Sequence, residues 1–254
     1  IMPSLVGSEM CIRDRHPRVP PAGSRQRRLK NWLQIRNAPA KIPTFAIRML
    51  PYVNIHTHRP TGSGIELRTA GVHPWDAATQ DAATLGQRLG GAQAVGETGL
   101  DFVRGADRAA QLSALRTQLR LARERGLPVV LHCVRAFEPL MRELAASEPR
   151  AVIFHGFIGS PEQARQALAK GYCLSFGERT FASPKTLAAL RGTPLSQLFL
   201  ETDDSPVPIA EIYARAAEAK GVPEEVLQRA ILDNYKRIFT GGEYEGPGRT
   251  NGDK

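Results

Sequence analysis

In the stretch Tyr52-Val53-Asn54-Ile55-His56-Thr57-His58, two imidazoles stand one residue apart at the end of a short apolar run. Residues i and i+2 of a strand face the same side, so His56 and His58 can reach one ion together. Neutral imidazole is the commonest protein ligand for zinc and similar metals. An isolated His-x-His is more often chance, but three further histidines share its setting. His73 ends Gly71-Val72-His73, His132 ends Val129-Val130-Leu131-His132, and His155 ends Val152-Ile153-Phe154-His155. Two acids hold the same kind of place: Glu97 in Ala94-Val95-Gly96-Glu97, and Asp203 after Leu198-Phe199-Leu200-Glu201-Thr202. A hydrogen-bonded core histidine explains any one of these residues. As an account of the set, it would have to recur five times at equivalent positions.

Four histidines and two carboxylates exceed what one tetrahedral zinc needs. They suit two divalent ions sharing a bridging carboxylate, a pair that orients substrate, activates water and stabilises attacking and leaving oxygens. A carboxylate beside such a centre can accept the proton of the attacking water. Cys133 follows His132 on its strand and points away from it, which argues against thiolate ligation. Nitrogen and oxygen donors leave Zn²⁺, Mn²⁺ and Mg²⁺ open.

Placing these residues on one rim requires a particular frame. Short apolar runs alternate with amphipathic stretches from Met49 onward, which predicts repeated βα units on a parallel sheet. Strands are expected over 51–56, 65–72, 92–97, 128–133, 151–155, 171–176 and 197–202. Between them, Leu112, Leu115, Leu119 and Ala122 mark one helical face, as do Phe137, Leu140, Met141 and Leu144. Ala164 and Leu168 face inward on a helix ended by Gly171. Val226, Ala230, Ile231 and Ile238 mark a last helix. The expected α/β fold is a TIM-type (β/α) barrel one unit short, whose strand ends share the rim that carries active sites. A doubly wound open sheet is the alternative. No Gly-rich loop follows the first strand, which counts against a dinucleotide site.

Charge adds little. The net +9 is concentrated in residues 1–48, which contribute +8, while residues 49–254 contribute +1. The chemistry-bearing part therefore carries no general polyanion signal. The first 48 residues are rich in Pro and Arg and have no signal-peptide pattern. Val6-Gly7-Ser8-Glu9-Met10-Cys11-Ile12-Arg13-Asp14-Arg15 resembles the translation of a transposase adapter used in sequencing libraries. Residues 1–48 are accordingly expected to be a non-native leader, with the protein's own start at Met49; a disordered basic arm is the alternative. Residues 49–239 are expected to form the barrel and 240–254 a disordered tail. No apolar run reaches the roughly 18–20 residues that span a bilayer. Three scattered cysteines make no disulfide framework, and a cytoplasmic setting is expected.

In order along the chain stand NIHTH, AGVHPWD, AVGETGLDF, LPVVLHCVRA, VIFHGFIGS and LFLETDDSP, and late in it Asn234-Tyr235-Lys236-Arg237-Ile238-Phe239. Together these resemble the TatD family of metal-dependent deoxyribonucleases and hydrolases over about residues 51 to 239. The resemblance implies that His56, His58 and Asp203 hold one metal with Glu97, which bridges to a second held by His132 and His155. It further implies that Asp203 deprotonates the attacking water and that His73 lies near the substrate. Arg135 is a candidate for substrate binding. For Trp75, Asp101, Arg135 and Asp204 a solvated or structural role stands equally open, and Glu201 reads as a helper orienting the site.

The chain also departs from the family pattern. Only Arg59 to Ala70 separate His58 from Gly71, so the second βα unit is expected to be collapsed. Val134 stands where relatives commonly have Arg, and His155-Gly156-Phe157-Ile158-Gly159 replaces the usual His-Cys-Phe-Ser-Gly. The resemblance implies a metal-dependent phosphodiesterase acting on DNA or a small phosphoester, with Arg59, Arg104, Arg135 and Arg179 as candidate strand contacts. The alternatives are an amidohydrolase or lactonase with the same metal pair, or a non-catalytic metal-binding protein. No membrane association and no obligate protein partner are expected.

Overall fold

The computed structural model describes residues 50–241. The expectations for residues 1–48 and for the tail beyond Gly241 lie outside them. Thr240, expected in the tail, ends the last helical turn, Lys236–Thr240.

Among the described residues, eight short strands form the inner layer: β1 Val53–Asn54, β2 Ile65–Glu66, β3 Thr69–Ala70, β4 Ala94–Asp101, β5 Val129–Val134, β6 Val152–Phe154, β7 Cys173–Phe176 and β8 Leu198–Leu200. Every pairing among them is parallel. Strands β3 to β8 make a six-stranded sheet in sequence order, and β1 pairs with β2. Backbone hydrogen bonds join the two pieces into a ring. Leu67 N donates to Asn54 O (3.3 Å), Gln93 N to Arg68 O (2.8 Å) and Ile55 N to Leu200 O (3.1 Å). Helices cover the outside, and the strands read as continuous apolar runs because both faces are buried. Val53, Ile55, Val129, Leu131, Ile153, Leu174 and Phe199 have no exposed surface.

The expected strand over 65–72 is broken at Leu67–Arg68. Its first half pairs with β1 and its second with β4, so one segment serves as neighbour to both. The physical reason is length. Parallel neighbours usually need a crossover of about a dozen residues or more, generally a helix; here residues 55–64 make the connection without one. The Glu66 carboxylate holds that tight link, accepting from Thr61 N (2.8 Å), Thr61 Oγ1 (3.0 Å) and Gly62 N (3.1 Å). Gly64, at φ 114°, passes so close to Tyr52 that a Cβ would lie 2.5 Å from its carbonyl oxygen.

Among the helices, Arg108–Arg125 (α2; α1 is the single turn Leu85–Arg88) begins on Asp107, whose Oδ1 accepts from Ala109 N and Ala110 N. It ends at left-handed Gly126. Leu115, Leu119 and Ala122 are buried as their spacing predicts, and Leu112 is partly buried. Phe137–Ser147 (α3) buries Phe137, Leu140 and Leu144. Pro161–Ala169 (α4) starts in a Ser160–Gln163 capping box and buries Ala164 and Ala167, with Leu168 packed beside them.

The final helix corrects the sequence expectation. Val226 is exposed, and the inward stripe of Glu224–Tyr235 (α7) is Leu227, Ile231 and Leu232. Counting back one turn from Ile231 reaches Leu227 at i−4 rather than Val226 at i−5. Helices Pro184–Gly192 (α5) and Ile209–Lys220 (α6) were not read from the sequence. None of the described helices is long and apolar enough to cross a membrane.

Candidate metal centre

The ends of β1 and β8 are locked together before any ligand is considered. Asn54 Nδ2 donates to Thr202 Oγ1 (2.9 Å), Thr202 N donates to Asn54 Oδ1 (3.1 Å), and Thr202 Oγ1 donates to Thr57 Oγ1 (3.0 Å). Beyond them, Asp203 N donates to His56 O and His58 N to Asp203 O, each at 3.1 Å. Asp203 is held at φ 53°, a left-handed conformation that Asp tolerates better than most residues yet which is uncommon outside glycine. Strain of this kind is concentrated at functional sites. The result is that His56, His58 and Asp203 present their side chains from one rigid junction.

Glu97 comes from β4. There the register slips by one residue between Val95 and Thr98, a bulge that re-aims the intervening side chain. Gly96 makes the approach to β5 possible, since a Cβ there would lie 2.8 Å from Val130 Cβ. The Glu97 carboxylate then faces all five rim histidines. Its Oε2 lies 3.3 Å from His56 Nε2 and 3.5 Å from His58 Nε2. Its Oε1 lies 2.6 Å from both His132 Nδ1 and His155 Nε2, and 3.2 Å from His73 Nε2. Burial opposes ionisation of Glu97, but the charge of His155 and hydrogen bonds from His132 and His155 hold its carboxyl far below the usual range.

The donor atoms fit a divalent cation. His56 Nε2 and His58 Nε2 are 3.3 Å apart, and Asp203 Oδ1 is 3.8 and 3.6 Å from them. A tetrahedron of ligands at ~2.1 Å has edges of about 3.4 Å. His56 Nε2, His58 Nε2 and Asp203 Oδ1 therefore stand close to ligand spacing around one point, reached by solvent along His58, whose side chain is 50% exposed against 6% for His56. The Oε1 side of Glu97 is drawn tighter, at hydrogen-bond distance from His132 and His155. A cation there would replace ring protons rather than add to them. Four overlapping groups of His, Glu and Asp satisfy ligand spacing among the described residues, and His56, Glu97, His155 and Asp203 each belong to two of them.

Two buried carboxylates stand behind the histidines. His155 Nδ1 lies 3.3 Å from Glu201 Oε1, and His132 Nε2 lies 3.4 Å from Asp101 Oδ2. Each of these rings thus touches Glu97 with one nitrogen and a second carboxylate with the other, the arrangement that fixes tautomer and raises ligand basicity. Burial works against a charged His155, yet Glu97 and Glu201 raise it well above the ordinary histidine value. Asp101 is itself pinned, accepting from Trp75 Nε1 (2.7 Å), Val103 N (2.8 Å) and Arg104 N (2.9 Å). Asp101→Asn should therefore weaken metal affinity by about 10–100-fold, the usual effect of losing such a partner, while leaving the fold intact. Calorimetric titration with Zn²⁺ or Mn²⁺ reads this, and unchanged affinity would remove Asp101 from the centre.

His73 differs from the other four histidines. Its Nδ1 accepts from Trp75 N (3.2 Å), so in the neutral ring Nε2 carries the proton and donates to Glu97 Oε1. That polarity suits a hydrogen-bond donor at the edge of the centre better than a ligand, although its spacing from Glu97 and His132 would admit one.

Around the centre lies a cavity of about 930 Å³. Trp75, Val103, Arg88, Arg104 and Arg179 line it together with His58, His73, His132 and His155. Trp75 is half exposed, with Arg104 5.6 Å from its ring centroid. Arg135, expected at the substrate, is exposed and does not line this cavity; its backbone turns left-handed at φ 52° as β5 ends. Of the arginines considered from sequence, Arg104 and Arg179 line the cavity, while Arg59 and Arg135 do not. Arg88 was missed. Cys133 belongs to no candidate ligand group, and burial pushes its thiol up to about 12.

Two buried glutamines of α2 were also missed. Gln118 brackets Val72, accepting from its N–H (2.7 Å) and donating to its carbonyl (3.0 Å). Gln111 does the same for Asp101, with both bonds at 2.7 Å. They act as sheet-like partners for the two segments that carry His73 and Asp101. Their signal in the sequence was a polar residue three or four positions from Leu115 on an otherwise apolar stripe.

Comparison with known proteins agrees with this geometry. Residues 64–240 match the family model described as TatD related DNase. A 3′-5′ ssDNA/RNA exonuclease TatD from Cronobacter sakazakii is 42% identical over 147 residues, covering 53% of this chain and 56% of the relative. An uncharacterized metal-dependent hydrolase, YjjV, from Escherichia coli is 33% identical over 164 residues, covering 58% of this chain and 63% of the relative. The chain thus spans less than two thirds of the length of both. A 3′-5′ ssDNA/RNA exonuclease TatD from Dickeya dadantii is 32% identical over 203 residues, covering 69% and 77%. The solved structure of Escherichia coli YjjV superposes with a TM-score of 0.62 at 28% identity, over 69% of this chain and 77% of that one. With its strand ring and its histidine-and-carboxylate rim, this chain belongs to the TatD related DNase family.

Proposed function

We propose that this chain is a metal-dependent phosphodiesterase that trims single-stranded nucleic acid from its 3′ end. One observation carries the reading: a single carboxylate, Glu97, divides its two oxygens between one set of histidines and another. In this reading His56, His58, Asp203 and Glu97 would hold one divalent ion, and His132, His155 and Glu97 would hold a second. Zn²⁺, Mn²⁺ and Mg²⁺ remain the candidates. The names of the Cronobacter and Dickeya relatives support a nucleic-acid strand as substrate.

When bound, the ions supply Lewis acidity to water and to the phosphoryl oxygens. The remaining work falls to the chain's own residues. Asp203 accepts the proton of the attacking water. Burial pushes its carboxyl up, against the pull of His155, which suits that role. His73 Nε2–H donates toward the centre. Water adds hydroxyl to phosphorus, one phosphorus–oxygen ester bond breaks, and the departing oxygen takes up a proton. Arg88 and Arg104 offer charge to backbone phosphates, and the exposed face of Trp75 offers a stacking surface to a base. We take the barrel unit to be residues 49–239, acting in the cytoplasm, in keeping with the unpaired thiols of Cys133 and Cys173.

The test is a metal-depleted preparation reconstituted with each ion and offered single-stranded oligonucleotides, bis(p-nitrophenyl) phosphate, and panels of esters and lactones. Chelation should abolish phosphodiester cleavage and one of the ions should restore it. Metal-dependent opening of a lactone, with no phosphodiester cleavage, would replace this reading with a small-molecule hydrolase.

A further inference from the structure

A second, smaller cavity of about 180 Å³ adjoins the first, and Arg179, Asp203 and Asp204 line both. The two spaces therefore meet at the proposed metal centre. Ligand pockets for whole small molecules run to roughly 300–1,000 Å³; the large cavity has that size, and the recess does not. Ile158, half exposed, lines the recess, and Gly156 and Gly177 line it without side chains of their own. Fully buried Glu201 lines it too, and its Oε2 makes no hydrogen bond among the described residues.

The two spaces differ in their cations. Arg88 and Arg104 line the large cavity and not the recess. The recess is lined by the acids Glu178, Glu201, Asp203 and Asp204, with Arg179 as the lining cation. One oxygen of Glu178 accepts from Ser205 Oγ, which itself accepts from Val207 N. Ser205 is thus fully engaged, and Glu178 Oε1 has no partner among the described residues. A hydroxyl group entering the recess would satisfy that carboxylate oxygen, whereas a phosphate would meet like charge.

We infer that the recess binds the terminal sugar of the strand and selects a free 3′-hydroxyl over a 3′-phosphate, with Glu178 as the discriminating group. The inference rests on the phosphodiesterase reading above. In it the polyanionic strand lies in the large cavity against Trp75 and the arginines. The scissile phosphate sits at the metals, and one uncharged sugar end enters the recess. The small volume then limits each cleavage to the last residue.

The experiment compares, on the metal-loaded protein, a single-stranded oligonucleotide ending in a 3′-hydroxyl, the same strand ending in a 3′-phosphate, and a circular single strand. The 3′-phosphate strand should be cleaved at least about tenfold more slowly, the kind of penalty a like-charge contact imposes, and the circle more slowly still. Glu178→Gln should shrink the ratio between the two linear strands toward one. That ratio does not depend on how much of the variant folds. Ile158→Trp, which fills the recess from its exposed wall, should slow release from linear strands. Equal wild-type rates on both linear ends would overturn the recess assignment alone, as would cleavage of the circle at the linear rate or a ratio unmoved by Glu178→Gln. A wild-type protein that hydrolyses bis(p-nitrophenyl) phosphate but no strand would instead overturn the nucleic-acid reading, and the recess assignment with it.

Discussion

Glu97→Gln should cost the protein at least one bound divalent ion per chain and nearly all of its turnover. The substitution keeps the shape of the side chain but removes its charge and one of its two acceptor oxygens. Both oxygens are engaged in the native arrangement, Oε2 toward His56 and His58 and Oε1 toward His132 and His155. Losing a single transition-state hydrogen bond costs ~10²–10³ in rate. Here one proposed ion loses a ligand oxygen and both lose the shared negative charge, so the loss should exceed about 10³, beyond that single-bond range. Elemental analysis of the purified variant, beside its circular dichroism spectrum, separates metal loss from unfolding. A folded Glu97→Gln protein with a full metal complement and wild-type turnover would remove Glu97 from the centre of the site.

Asp203→Asn should behave differently. Asparagine keeps an oxygen at the position 3.6 Å from His58 Nε2, but it cannot accept the proton of the attacking water. General-base help is worth about 10² to 10⁴ in rate, and turnover should fall by that order while the ion held by Glu97, His132 and His155 is retained. Asp204 provides the internal control. It lines both cavities, yet it belongs to none of the candidate ligand groups. Asp204→Asn should therefore cost much less than Asp203→Asn. The reverse order, with Asp204→Asn inactive and Asp203→Asn active, would mean that the two roles have to be exchanged. The structure gives a reason to expect the first order: Asp203 is tied on both sides to the histidine strand through His56 O and His58 N.

The alternation of short apolar runs with helical stripes was enough to identify a parallel α/β ring, and the histidines and acids at the run ends marked the rim on which they cluster. That much is local, because a buried parallel strand must be apolar on both faces and its end is where polar side chains can begin. The missing second unit was also legible, since Arg59 to Ala70 leaves no room for a helix and a strand. The solution to that shortage was not legible. Nothing in the spacing says that Ile65–Ala70 would bend at Leu67–Arg68 and pair with a different neighbour on each side.

The sequence by itself determined which residues could be ligands and in what order they meet the rim. Only the tertiary structure decided how they share the work. The division of Glu97's two oxygens depends on the bulge between Val95 and Thr98, and the backing of His132 by Asp101 and of His155 by Glu201 depends on strands that are distant in sequence. The same holds for Gln111 and Gln118, whose partners Asp101 and Val72 lie 10 and 46 residues away. Arg135 shows the limit most plainly. Its place after His132 suggested the substrate, but a left-handed residue breaks the alternation that makes chain position predict direction, and the cavity is lined by Arg104 and Arg179 instead. Residue type and spacing fix what chemistry is available. Which atoms face one another depends on how far the chain must travel around the ring and on how each loop turns at its end.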